Sequence, residues 1–144
     1  MIQHLLVAVD GGEASRRAAR FALDLAKQTS SRVTLLFVLE PPRLVPLGPL
    51  DSFVEIRGSD KEHIDAAHRM LDDVASAFAP QQVRIDRLVE VGQAAETICE
   101  QAERLNADLI VVGARGTGAA ARWLLGSVSD RVVHHAKRTV AVVR

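Results

Sequence analysis

The chain is poor in several residue types at once. Among its 144 residues there are one cysteine, one tryptophan and no tyrosine, and aromatic residues make up 3%. A lone cysteine, Cys99, excludes an intrachain disulfide. It falls within an amphipathic helical pattern and reads as a small buried hydrophobe. An excess of either charge is missing too, since Lys and Arg total 18 and Asp and Glu total 18. That balance lacks the basic surplus of a general nucleic-acid or anionic-membrane binder, so neither partner is expected. No apolar run reaches membrane-spanning length. The opening Met1-Ile2-Gln3-His4-Leu5-Leu6 lacks the basic segment and long apolar stretch of a signal peptide, so a cytoplasmic protein is expected. His63 and His68 are five apart and His134 and His135 are adjacent, neither being the i, i+4 spacing of a helical metal pair. The residues therefore assign no metal ligands.

What is present is a core-forming alternation. Hydrophobic residues are 48% of the chain, enough for one domain over residues 1–144. Leu5-Leu6-Val7-Ala8-Val9 reads as a buried strand closing on Asp10-Gly11-Gly12. Glu13 to Gln28 has helical spacing, with Ala14, Ala18, Phe21, Ala22, Leu25 and Ala26 on one face. Val33 to Leu39 is a second strand, so the opening is a βαβ unit with parallel pairing and a right-handed crossover. Helical patterns follow at Lys61–Phe78, Ala94–Leu105 and Gly126–Ala136, the last with Val128, Val132, Val133 and Ala136 inward. Strands are expected at Val83–Val91, where polar alternation suggests a sheet edge, at Asp108–Val112 and at Thr139–Val143. Glu40 to Asp60 holds Pro41, Pro42, Pro46 and Pro49 and is expected to be a loop, of the length that forms lids or partner surfaces. The whole predicts an α/β fold: a single doubly wound domain, a five-stranded parallel sheet of order 3-2-1-4-5, and four helices.

Ligands of such sheets bind beyond the carboxyl ends of the strands. There the fourth strand delivers a distinctive pattern. Gly113 is followed three residues later by Gly116, and nine residues separate Gly116 from Gly126-Ser127. Gly113, Gly116 and Gly118 can bring backbone N–H groups against an anion, and Arg115 and Arg122 can offer guanidinium groups. Ser127 stands where a helix begins. Its hydroxyl can bind a phosphate oxygen at the positive helix end or cap the helix, with Ser127-x-x-Asp130 resembling a capping box. Either role is worth about 1 kcal/mol, so energy does not choose between them. The bare pattern fits both a phosphate site and an ordinary glycine-rich connection. Trp123, in the distal half of this loop, reads as packing or an interface anchor rather than an adenine stack.

This arrangement resembles the universal stress protein family, in particular its ATP-binding branch, which carries Gly, two residues, Gly, nine residues, then Gly-Ser or Gly-Thr after the fourth strand. Gly113, Gly116 and Gly126-Ser127 match it in position. Val7-Ala8-Val9-Asp10-Gly11, Ala107 to Gly113 and Leu124 to Ser129 are also similar to the family, so the resemblance spans the chain. It implies that Ala8, Val9 and Asp10 line the nucleoside end of a pocket, and that the backbone of Val38 meets adenine. It implies that Gly113, Arg115, Gly116, Thr117 and Gly118 wrap the phosphates, while Gly126, Ser127, Val128 and Ser129 supply amides and hydroxyls. From the residues alone, Asp10 also reads as the N-cap of the first helix and Val38 as core. Two departures stand out: Gly12 replaces a common serine, and Lys137-Arg138 stands where the family often has prolines.

The resemblance implies an ATP-binding module, with or without Mg, acting in stress response or signalling. It implies a homodimer paired through strand Thr139–Val143, an edge that would otherwise invite pairing. No general base, acid or nucleophile constellation surrounds the loop, and no Gly-Lys-Ser/Thr P-loop follows the first strand. No catalytic residue is therefore assigned, and at most slow ATP hydrolysis is expected. The alternatives are a nucleotide-free dimerisation adaptor and, on the faint echo of an adenylyl-transfer loop in Asp10 to Ser15, an adenylyl-transferring enzyme.

Overall fold

The computed structural model describes residues 1–41, 43–46, 53–56, 61–78, 82–115 and 124–144. Its elements in chain order are β1 (His4–Ala8), α1 (Glu13–Thr29), β2 (Arg32–Leu39), β3 (Arg43–Pro46), β4 (Phe53–Ile56), α2 (Lys61–Phe78), β5 (Ile85–Val91), α3 (Ala94–Arg104), β6 (Leu109–Gly113), α4 (Ser127–His135) and β7 (Thr139–Val143). Five strands form one sheet in the order β5-β2-β1-β6-β7. Every pairing in it is parallel, with Leu5 opposite both Val33 and Leu109. This is the expected 3-2-1-4-5 order, with four α-helices among the described residues.

Apolar runs become central strands because both faces of a parallel sheet are covered. Leu5, Val7, Val33, Leu35 and Val111 face a core shared with α1 and α2, whereas Leu6, Leu36, Ile110 and Val112 face one shared with α3 and α4. Burying a Leu or Val of this kind is worth about 1.5–3 kcal/mol. The α1 face is made chiefly of small residues, with Ala18, Ala19, Ala22 and Ala26 buried beside Leu23. Phe21 and Val133, expected inward, are instead 44% and 42% exposed. The buried face of α1 runs through Ser15, Ala18, Ala19, Ala22, Leu23 and Ala26, and Phe21 stands about 100° round the helix from Ala22; on α4 Val132 occupies the core position beside Val133.

The stretch 40–60, expected as a loop, contains an antiparallel hairpin, β3 with β4, in the register Arg43 to Ile56 through Pro46 to Phe53. Proline is compatible with this because Pro46 is the last residue of its strand in a two-stranded pair, where a missing donor breaks no central ladder. Cys99 is half-buried, and burial together with Glu96, Glu100 and Glu103 pushes its thiol up, so the reactive thiolate is disfavoured. Among the described residues no helix is long and apolar enough to cross a membrane.

At the amino end of the sheet lies a buried histidine that the sequence pattern did not single out. His4 is 3% exposed. Its Nε2 meets the Thr34 hydroxyl at 2.8 Å and its Nδ1 the Leu105 carbonyl at 3.2 Å. A carbonyl only accepts, so Nδ1 carries the proton and the neutral ring accepts at Nε2. The exposed Asp108 fastens the same end by accepting the backbone N–H groups of Gln3 at 2.8 Å and His4 at 3.0 Å.

Candidate nucleotide site

The chain reverses its direction of winding between β1 and β6, and a cleft opens at their carboxyl ends. Its first wall is the turn from β1 into α1. Val9 stays tied to the sheet through its N–H, which donates to the Leu36 carbonyl at 2.8 Å. Asp10 Oδ1 then accepts the Gly12 N–H at 2.8 Å, a side-chain turn that folds the chain back on itself. Gly11 takes φ +82°, a left-handed conformation natural to glycine. Ser15 completes the turn: its hydroxyl donates to the Gly12 carbonyl at 3.0 Å and accepts the Asp10 N–H at 3.2 Å. The N-cap of α1 is Gly12, with no side-chain capping bond. Asp10 is thus not the cap, because its carboxylate is spent two residues earlier, on the turn.

The second wall is the end of β6 with the start of α4. A β-carbon on Gly113 would stand 2.5 Å from the Ala14 carbonyl carbon and 2.8 Å from the Ser15 nitrogen. Glycine is required there by close passage of the α1 backbone, a reason separate from any ligand. The next residue, Ala114, donates its N–H to the Val143 carbonyl at 2.7 Å and so ties this segment to β7. The N-cap of α4 is Gly126, again without a side-chain capping bond, and Ser127 is the first helical residue. The capping role open to Ser127 is therefore not taken, because the serine lies one position too far into the helix. The hydroxyl that tightens this end is that of Ser129, 3% exposed, which donates to the Gly126 carbonyl at 3.0 Å.

Between these walls the cleft measures about 790 Å³. It brings together Ala8, Val9, Asp10, Val38, Gly113, Arg115, Ser127, Val128 and Ser129, residues that lie up to 121 positions apart in sequence. Gly126 adjoins it, against the stem of Arg115. Val38 is half-buried; it both packs on the α3–α4 core and lines the cleft, so its two readings are compatible. Gly116, Thr117 and Gly118, along with Arg122 and Trp123, lie outside the described residues. The spacing argument missed Ser15, Phe37 and Ile98, which also line the cleft. Ser15 was legible in principle as a hydroxyl three residues beyond a glycine N-cap, but Ile98 enters only because α3 packs over β2.

Two charged groups lining the cleft are paired with each other. The Arg115 guanidinium reaches across to Oδ2 of Asp10. Partial burial pushes the Asp10 carboxyl up, but the Arg115, Gly12 and Ser15 hydrogen bonds and the guanidinium charge outweigh it and hold the group below the ordinary carboxylate value. Arg17, also at the cleft, is held by Glu13 on its own helix at 2.9 Å. An uncapped helix start beside an arginine and the exposed Ser127 hydroxyl is chemically suited to an anion, and the apolar Val9, Val38 and Ile98 to a flat, weakly polar ring. Among the described residues no three His, Cys, Asp or Glu side chains gather into a metal site.

Comparison with known proteins places this geometry among relatives. The profile of the Universal stress protein family matches residues 1–144. A universal stress protein of Synechocystis is 32% identical over 143 residues, covering 99% of this chain and 86% of the relative. One from Thermus aquaticus is 35% identical over 145 residues, covering 100% of both. Among solved structures, a universal stress protein in complex with cAMP superposes with TM-score 0.69 at 26% identity, covering 99% of this chain and 97% of the other.

Proposed function

The chain belongs to the universal stress protein family, and on that footing we propose that it binds an adenine nucleotide in the cleft between β1 and β6. The observation that carries this is the convergence of Asp10, Val38, Arg115 and the α4 start on one cleft of about 790 Å³. That volume lies within the roughly 300–1,000 Å³ typical of small-molecule sites. The cAMP held by one relative supports an adenine-bearing ligand. The spacing Gly113, Gly116, Gly126-Ser127 favours ATP within that class. In this reading the apolar side of the cleft takes the base and Asp10 the ribose. The N–H groups of Ser127, Val128 and Ser129 and the Ser127 hydroxyl take phosphate oxygens, and Gly116, Thr117 and Gly118 contribute further phosphate contacts. A Mg ion would be held chiefly by the phosphates, as Mg prefers.

The module then acts in the cytoplasm as a nucleotide-responsive dimer in stress response or signalling, and not as an efficient catalyst. β7 stands at the sheet edge, and strand pairing with a second copy would satisfy its outer N–H and C=O groups. Calorimetric titration with ATP, AMP and cAMP, joined to mass spectrometry of nucleotide released on denaturation, tests the reading. Binding of one of them with micromolar affinity is expected. No binding at millimolar concentration and no carried nucleotide would overturn it. Sedimentation velocity tests the dimer, expected as one species of twice the monomer mass.

A further inference from the structure

Both walls of the cleft are anchored close to their charged groups. The Asp10 backbone is pinned by Ser15 and its carboxylate by the Gly12 N–H. The segment carrying Arg115 is pinned through Ala114 to Val143, and the Arg115 stem lies against Gly126. What remains free to turn is the far end of the arginine. A carboxylate and a phosphate both match the planar fork of a guanidinium, two oxygens to two N–H groups. In the structure the guanidinium meets Asp10 through one N–H group, Nη2 to Oδ2, while Oδ1 accepts the Gly12 N–H. A phosphate seated on the N–H groups of α4 would lie beside the same arginine stem and would draw the same guanidinium away from Asp10. The other arginine of the cleft, Arg17, is engaged by Glu13.

We propose that Asp10 is a positioning residue for Arg115: its carboxylate competes with a ligand's phosphate for one guanidinium, and so sets how strongly the cleft favours phosphorylated over bare nucleosides. The proposal rests on the nucleotide reading above and names a discrimination within it. In this scheme the intact pair restrains the preference for phosphate. Neutralising Asp10 releases Arg115 and sharpens that preference, whatever it does to ribose contact. The pair is solvent-accessible, with side chains 65% and 37% exposed, so the effect is modest.

The test is a double-mutant cycle on the ratio of AMP to adenosine affinity, measured by calorimetry for wild type, Asp10→Asn, Arg115→Gln and the double variant. Asparagine retains an acceptor for the Gly12 N–H, and Asp10→Ser serves as a second neutral replacement able to form a similar turn. Asp10→Asn is expected to raise the ratio about two- to fivefold, the size of an exposed ion pair, and to leave it unchanged once Arg115 is glutamine. An unchanged ratio in the folded single variants overturns the proposal. So does the same rise in the Arg115→Gln background, which would show plain repulsion between Asp10 and phosphate. Wild-type protein that binds neither ligand overturns the nucleotide reading itself, and this proposal with it.

Discussion

The β-carbon of Arg115 lies 2.6 Å from where a β-carbon on Gly126 would have to stand. The two residues are eleven positions apart in the sequence, yet each limits the other. Gly126 has φ −65°, which any residue can adopt, so the demand for glycine is steric rather than conformational. Gly126→Ala should push the Arg115 stem off the start of α4. Overpacking of this kind costs about 1–3 kcal/mol, and the expected result in calorimetry is a tenfold or greater loss of AMP and ATP affinity with a lowered melting temperature.

Gly113→Ala meets backbone atoms of Ala14 and Ser15, not the end of a flexible side chain. The β6–α1 contact must open. A loss of about 1–3 kcal/mol is expected, or about 2–4 °C in melting temperature per kcal/mol for a domain of this size. Thermal melting of the ligand-free protein checks it, since the effect should appear without nucleotide.

Ser127 and Ser129 should behave oppositely. The Ser127 hydroxyl is exposed and does not cap α4, so Ser127→Ala should change stability by less than about 0.5 kcal/mol while weakening nucleotide binding. Ser129 is buried and donates to the Gly126 carbonyl, so Ser129→Ala should cost about 1 kcal/mol of stability. Urea unfolding and calorimetry on the two variants separate the roles.

His4 should make stability depend on pH. Burial lowers its pKa below the ordinary 6.5, against the raising effect of the Leu105 hydrogen bond. The unfolded chain therefore takes up this proton first as pH falls. The contribution of the neutral ring is fully present above 6.5 and is lost as pH drops from there through the lower folded value. Urea midpoints measured from pH 7.5 to 5 should fall for wild type, and His4→Asn should flatten part of that slope while lowering stability throughout by about 1–3 kcal/mol.

Local patterns carried the frame. Runs such as Leu5 to Val9 and Leu109 to Val112 are apolar without alternation, which only strands covered on both faces require. The 3.6-residue spacing of Ala18, Ala22 and Ala26 marks a helix lying close to that sheet. The same reasoning overreached at Phe21 and Val133, because it drew each apolar face too wide: each stands about 100° round its helix from the buried Ala22 or Val132 beside it. It undercounted at 43–46 and 53–56, because proline forbids a central strand far more firmly than the end of a two-stranded hairpin.

The positions of Asp10, Val38, Gly113, Arg115 and Ser127 at strand ends and a helix start follow from the order of apolar runs and glycines, which local chemistry dictates. What each does there was decided by the tertiary structure. Asp10 acts through a turn and an ion pair, not as a cap. Gly113 is small because a helix backbone passes it, and the α4 cap is Gly126. His4 finds its hydroxyl partner 30 residues away. Such roles depend on which distant groups come within about 3 Å, and hydrogen bonds and steric contacts decay over less than the width of one side chain. Spacing along a chain therefore names the participants, and only the folded contact assigns their parts.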